Sequence, residues 1–286
     1  PLFNSLHPLQ TRGDRPCEQR QSARRPLLPH PASDLRVLTK IIQLGKESSL
    51  SETITHYSNN QNGVKARDFK ANHPIQIRLQ NEFKQVYGGQ YVYEIKRGEA
   101  WGKVEVISNE DAGLYLMSFD LKEPWATPRA YQVFDEKHAD LFGRPEVTAD
   151  RILLCHLLAK VAVTRLQDLE NQLFAKYTLT KFAIMYMLRR ILEQDRTGKQ
   201  LIQNSTTFVR EEEQRAKLVT CIDAITKDTM IDINAEVASY GEDFDYRDSL
   251  RRQDWVTHLA DEVVTSHLKL VARGRLPSFY QQWGAQ

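Results

Sequence analysis

The chain has 286 residues, 41% hydrophobic and 27% charged, with 39 basic against 37 acidic side chains and a mean hydropathy of −0.52. This is the composition of an ordinary soluble globular protein, long enough for one large or two modest domains. It leaves no apolar run near the ~20 residues a membrane span needs, and the opening residues lack the apolar core of a signal peptide.

Three cysteines, Cys17, Cys155 and Cys221, are odd in number and far apart, with no Cys-x-x-Cys pair. That spacing argues against a disulfide framework and a zinc site and for a reducing compartment. The expectation is a cytoplasmic protein with no membrane partner and no evident cofactor.

Residues 1–34 hold six of the eleven prolines and five arginines without an apolar period. They read as a disordered tail or a non-native leader, because proline fixes φ and removes a backbone donor. Residues 35–44 read as a β-branched strand ended by Gly45, and Ser49 with Glu52 as a capping box opening a helix to Tyr57. A short helix is expected over 65–72. The next begins at Pro74, with Ile75, Leu79, Phe83 and Val86 as its apolar stripe and Gly88-Gly89 as its stop. Residues 90–96 form a strand with Tyr91, Tyr93 and Ile95 on one face, and 103–107 its hairpin partner across 98–102.

Asn109 is the expected cap of a helix to Leu121. Pro124 and Pro128 then break the chain, and a connector over 129–143 is anchored by Tyr131, Phe134 and Phe142. Helices alone follow, over 148–171, 179–193, 208–226, 231–240 and 253–272, the second apolar nearly all round. The predicted class is α+β: a small mixed sheet with flanking helices over 35–143, then an all-helical region over 144–286 packed on it.

Charge is unevenly spread. Between Lys65 and Arg97 seven bases face three acids, a net of +4; between Glu211 and Asp254 twelve acids face six bases, a net of −6. Phosphate is the plainest partner for the first region and a protein partner for the second. The basic region follows a polar loop, Asn59, Asn60, Gln61 and Asn62, closed by Gly63. Such side chains compete with helical hydrogen bonds, so the loop is either a helix stop with Gly63 left-handed or a recognition loop.

The loop follows Tyr57 and precedes the Arg67-Asp68-Phe69 segment, and Tyr93, Glu94, Lys96, Arg97, Gly98 and Glu99 come later in the same order. In this order these motifs resemble the C-terminal domain of the abortive-infection phage-resistance (AIPR) family, from about residue 35 to the 134–142 region. The family's upstream Asn-Gly-x-Gln-Thr motif is absent. The resemblance therefore implies a partial chain, with a fragmentary or frame-altered start as the hypothesis, and a role in prokaryotic defence against phage.

Two chemistries suit these residues. In the first, Asn59, Asn60, Gln61 and Asn62 read base edges while Lys65, Arg67, Lys96 and Arg97 hold phosphates, with Tyr57, Tyr87 and Tyr91 as stacking or packing residues. In the second, Glu94 and Lys96 on one strand face, with Asp68, form a Glu-x-Lys nuclease centre holding Mg2+; an exposed ion pair explains the same residues. A protein-binding module is the non-catalytic alternative. Asp243, Asp245 and Asp248 form only a broken calcium loop, and His156 reads as a hydrogen-bonded core residue beside Cys155.

Overall fold

The computed structural model describes residues 66–96, 102–241 and 243–285, all within one compact unit, Ser48–Gln286. The strand expected over 35–44, the helix from Ser49, the Asn59–Asn62 loop and Arg97 lie outside the described residues. What is described is α+β, a two-stranded sheet among helices.

The chain enters with α1, Ala66–Lys70, and α2, Pro74–Tyr87. His73 caps α2, its Nδ1 accepting from Ile75 N at 3.3 Å, and Pro74 takes the first turn, where its missing donor is harmless. The buried face of α2 is Gln76, Leu79, Phe83 and Tyr87, so the expected stripe is rotated by one residue. Polar bonding causes the shift. Tyr93 Oη donates to Gln76 Oε1 (2.6 Å), and Gln76 Nε2 donates to His138 Nε2 (3.3 Å). At the other end Tyr87 Oη donates to Asp150 Oδ1 (2.5 Å), and Val86 stays exposed.

Gly89, at φ +94°, turns the chain into β1, Tyr91–Glu94, which stacks Tyr93 on Phe83 with centroids 5.5 Å apart. Its partner β2, Glu105–Ser108, runs parallel rather than as a hairpin, pairing Tyr91 with Glu105 and Glu94 with Ser108. Parallel pairing puts Tyr93 and Ile107 together in the core and delivers β2 straight into α3, Asn109–Phe119. Residues 97–101 lie outside the described residues, but the parallel direction of the strands overturns the expected hairpin. Ser108, not Asn109, caps α3: its Oγ accepts from Asp111 N at 3.0 Å, while Asn109 is buried inside the helix.

After two 3₁₀ turns, Pro124–Ala126 and Ala130–Phe134, comes α4, His138–Phe142. Phe134 and Phe142 anchor this connector, but Tyr131 points to solvent. The helical region is α5 (Ala149–Arg165), α6 (Gln172–Ala175), α7 (Thr178–Gln194), α8 (Arg196–Gln203), α9 (Thr206–Val209), α10 (Glu212–Val237), α11 (Tyr246–Ser249), α12 (Gln253–Ala272) and α13 (Phe279–Ala285). The helix expected over 148–171 is shorter, Thr148 capping α5 before a 3₁₀ turn takes over at Leu166. One helix, α10, replaces the two expected over 208–240. Thr226 and Thr229, which interrupt the pattern, are buried and donate back to Ile222 O and Ile225 O, so the ladder continues through them. One apolar core runs from Leu79 to Phe279 and includes Cys155 and Cys221. Burial pushes both thiols upward, which suits inert packing residues.

Two buried carboxylates tie the helices. Asp150 accepts from Tyr87 of α2, from Thr206 Oγ1 (2.7 Å) and from Arg210 Nη2 (2.7 Å). Asp120, at the end of α3, faces Arg144 (2.8 Å), Arg189 (3.1 Å) and Arg151 (3.5 Å). Removing Asp120 leaves three guanidinium groups around a desolvated site. Asp120→Ala is expected to destabilise the fold by about 3–5 kcal/mol in urea unfolding, and a loss below about 1 kcal/mol would contradict this.

His138 adds a pH term. Burial, with the nearby His73 and Lys70 charges, lowers its pKa to about 4, which agrees with a neutral ring accepting from Gln76. The unfolded chain binds this proton near pH 6.5 and the folded chain only near 4, so stability falls as pH drops through that window. In ring-proton NMR titration His138 is expected to show a midpoint near 4; a midpoint at or above 6 would contradict it.

Candidate nucleic-acid interface

The described parts of two motif segments, on α1 and β1, meet at the C-terminal end of β1. Alternation along β1 turns Tyr93 and Ile95 into the core and Glu94 and Lys96 outward. The short helix α1 carries Arg67 to the same place. Its Nη2 lies 2.8 Å from Glu94 Oε2 and 3.4 Å from Glu94 O, and Nη1 lies 4.0 Å from Glu110 Oε2 in the first turn of α3. Arg67 is buried and Glu94 nearly so, with side-chain exposures of 7% and 15%. The pair is thus an internal tie between α1 and β1, largely shielded from salt.

This places each predicted residue. Arg67 and Glu94 meet one another, Asp68 is half-buried on α1, and Lys96 is exposed beyond the end of β1. Asn59, Asn60, Gln61, Asn62, Lys65 and Arg97 lie outside the described residues. Among the described residues no three His, Cys, Asp or Glu side chains come close enough to hold a metal ion. The Glu94 carboxylate is moreover engaged by the Arg67 guanidinium, which supplies the charge that Mg2+ would bring. The described residues as placed do not fit that ion, and no step follows from it.

Sequence reasoning overlooked how charge is sorted. In α2 and β1 both acids are matched by arginines: Glu82 by Arg78 (2.7 Å), Glu94 by Arg67. The lysines are not. Lys70, Lys84 and Lys96 have no carboxylate within ion-pair distance among the described residues, and Lys84 and Lys96 are exposed. The signal was present as the excess of +4, but not which cations were left over.

Comparison with known families decides the relationship: the family profile described as AIPR protein matches residues 19–237. The chain belongs to the AIPR family. Membership makes it a protein of the abortive-infection, phage-resistance class. The AIPR match extends at both ends beyond the stretch read from motifs and runs to the last residue of α10. No curated protein and no solved structure matches the chain.

Within this AIPR domain, Glu94→Ala strands a buried guanidinium and is expected to cost about 1.5–3 kcal/mol in urea unfolding. The Arg67→Ala/Glu94→Ala double variant should lose less than the two single losses added together. Additive losses would show that the two residues do not act as a pair.

Proposed function

We propose that this AIPR protein engages nucleic acid, and that the segment from the Asn59–Asn62 loop to Arg97 is the contact surface. The observation that supports it best is the sorting of charge: arginine pairs take up Glu82 and Glu94, while Lys70, Lys84 and Lys96 have no carboxylate within ion-pair distance among the described residues. Cations left unmatched on one segment suit a polyanion, whose condensed counterions are released on contact. In this reading Lys65, Lys96 and Arg97 hold phosphates and the Asn59, Asn60, Gln61 and Asn62 amides face base edges. Arg67 is a positioning residue: it holds Glu94 and α1 in place and does not itself reach the phosphates.

The test is binding of labelled single- and double-stranded DNA and RNA across a salt series. Wild type should show binding that weakens steeply with salt. Lys96→Ala and Lys70→Ala/Lys84→Ala, which touch no internal pair, should weaken it on every sequence. Removing one lysine–phosphate interaction should lower the slope of log K against log salt by about one. A folded protein that binds none of these probes would overturn the proposal and favour docking of a protein partner by the acidic helical half.

A further inference from the structure

A second site lies at the opposite, N-terminal end of the sheet. A cleft of about 860 Å³ opens where Gly89 and Tyr91 enter β1 and Lys103 leads into β2, and is closed by α5 and the first half of α10. That volume lies within the range of ordinary small-molecule sites. Its floor is apolar, formed by Leu157, Val161 and Val219.

One wall holds Arg215, 7% exposed and without a carboxylate within ion-pair distance among the described residues. This sets it apart. Among the described residues the other two buried arginines, Arg67 and Arg151, each have a carboxylate, Glu94 at 2.8 Å and Asp120 at 3.5 Å. Arg215 has neutral partners instead. Its Nη1 donates to Val209 O (2.9 Å) and Arg210 O (2.7 Å), and Nη2 to Gln90 Oε1 (2.7 Å). Its guanidinium carbon lies 5.6 Å from the Tyr87 ring centroid and 5.9 Å from that of Tyr91. These bonds fix the group rigidly and account for its orientation, but they supply no counter-charge, and a buried charge without one is costly.

Three other charges on the walls, Glu105, Lys160 and Asp223, are already matched. Glu105 faces Lys160 (2.7 Å) and His156 (2.7 Å), and Arg165 Nε donates to Asp223 Oδ1 (2.8 Å). Burial opposes ionisation of Glu105, yet the bonds from Lys160 and His156 hold its carboxyl below the ordinary value. Among the described residues two unmatched cations remain, fixed Arg215 and exposed Lys103, against one unmatched acid, Glu212.

We infer that this cleft binds a free nucleotide. A guanidinium in a rigid setting selects a planar or tetrahedral oxyanion that accepts two of its N–H groups, and Lys103, its charge only partly offset across the cleft by Glu212, adds a second cation that suits a phosphomonoester. The half-buried Tyr91 and the floor of Leu157, Val161 and Val219 offer an apolar and aromatic surface to the nucleoside. Arg215 and Lys103 hold the phosphate. None of the lysines tested in the nucleic-acid proposal, Lys70, Lys84 and Lys96, lines this cleft, so either reading can fail alone.

The experiment is calorimetric titration of the full chain with AMP, GMP, CMP, UMP, inorganic phosphate and a 5′-phosphorylated tetranucleotide. At least one mononucleotide should bind saturably, and ¹H–¹⁵N shifts should centre on Gly89, Tyr91 and Lys103. Lys103→Glu, an exposed change with no internal partner, should weaken binding at least about fivefold. Arg215→Gln, checked first for folding, should weaken it at least about tenfold. Lys103→Glu alone is decisive if Arg215→Gln does not fold. Unchanged binding by folded Lys103→Glu, or no mononucleotide bound by wild type, would overturn the inference. So would inorganic phosphate binding as tightly as any mononucleotide, or binding by the tetranucleotide alone.

Discussion

The bond from Tyr87 to buried Asp150 fixes where the sheet starts. It joins the last residue of α2 to the first turn of α5, and Asp150 also collects Thr206 and Arg210 from the approach to α10. The Tyr87 ring then lies against Arg215, whose other bond reaches Gln90, one residue before β1. Burial and the Asp150 bond push the Tyr87 hydroxyl well above its ordinary pKa, so it stays a donor across the whole working range of pH. The start of β1 is therefore set by charges and hydroxyls drawn from four helices. Its far end is set by one ion pair, Arg67 with Glu94.

The buried carboxylates show how a helical protein with a very small sheet holds its orientation. Two parallel strands of four residues bring little stability alone. Apolar packing against α2 and α3 supplies the driving force, but packing is non-directional. Asp120 and Asp150 add direction, because each accepts only from donors that arrive from particular helices. The arrangement is costly to disturb at one partner and close to neutral when complete.

Much of this was legible in the sequence. Residues 253–272 were read as a helix with the bounds it has, Tyr93 and Ile95 were placed on one strand face, where both are buried, and His156 was read as a core residue beside Cys155. Local periodicity carries such information directly. What it does not carry is pairing across distance. Arg67 and Glu94 are 27 positions apart and Arg215 and Gln90 are 125 apart, so each reads locally as a surface charge or a loop amide. Strand direction was missed for a related reason: glycines between two short strands look alike whether the chain turns back or crosses over. The α2 stripe slipped by one because Gln76 and Tyr87 are buried by hydrogen bonds that a hydrophobicity pattern cannot register.

The end of α10 carries a practical consequence. The family match stops at Val237, the helix's final residue, yet the core does not stop there. Val256, Leu259 and Val263 of α12 and Phe279 of α13 are buried in the same core as Ile222, Ile225 and Ile233 of α10. A boundary drawn by sequence kinship therefore cuts through a packed interior. Excising the kindred segment by itself would bare the oily flank of its longest helix, turning a well-behaved fold into a sticky one.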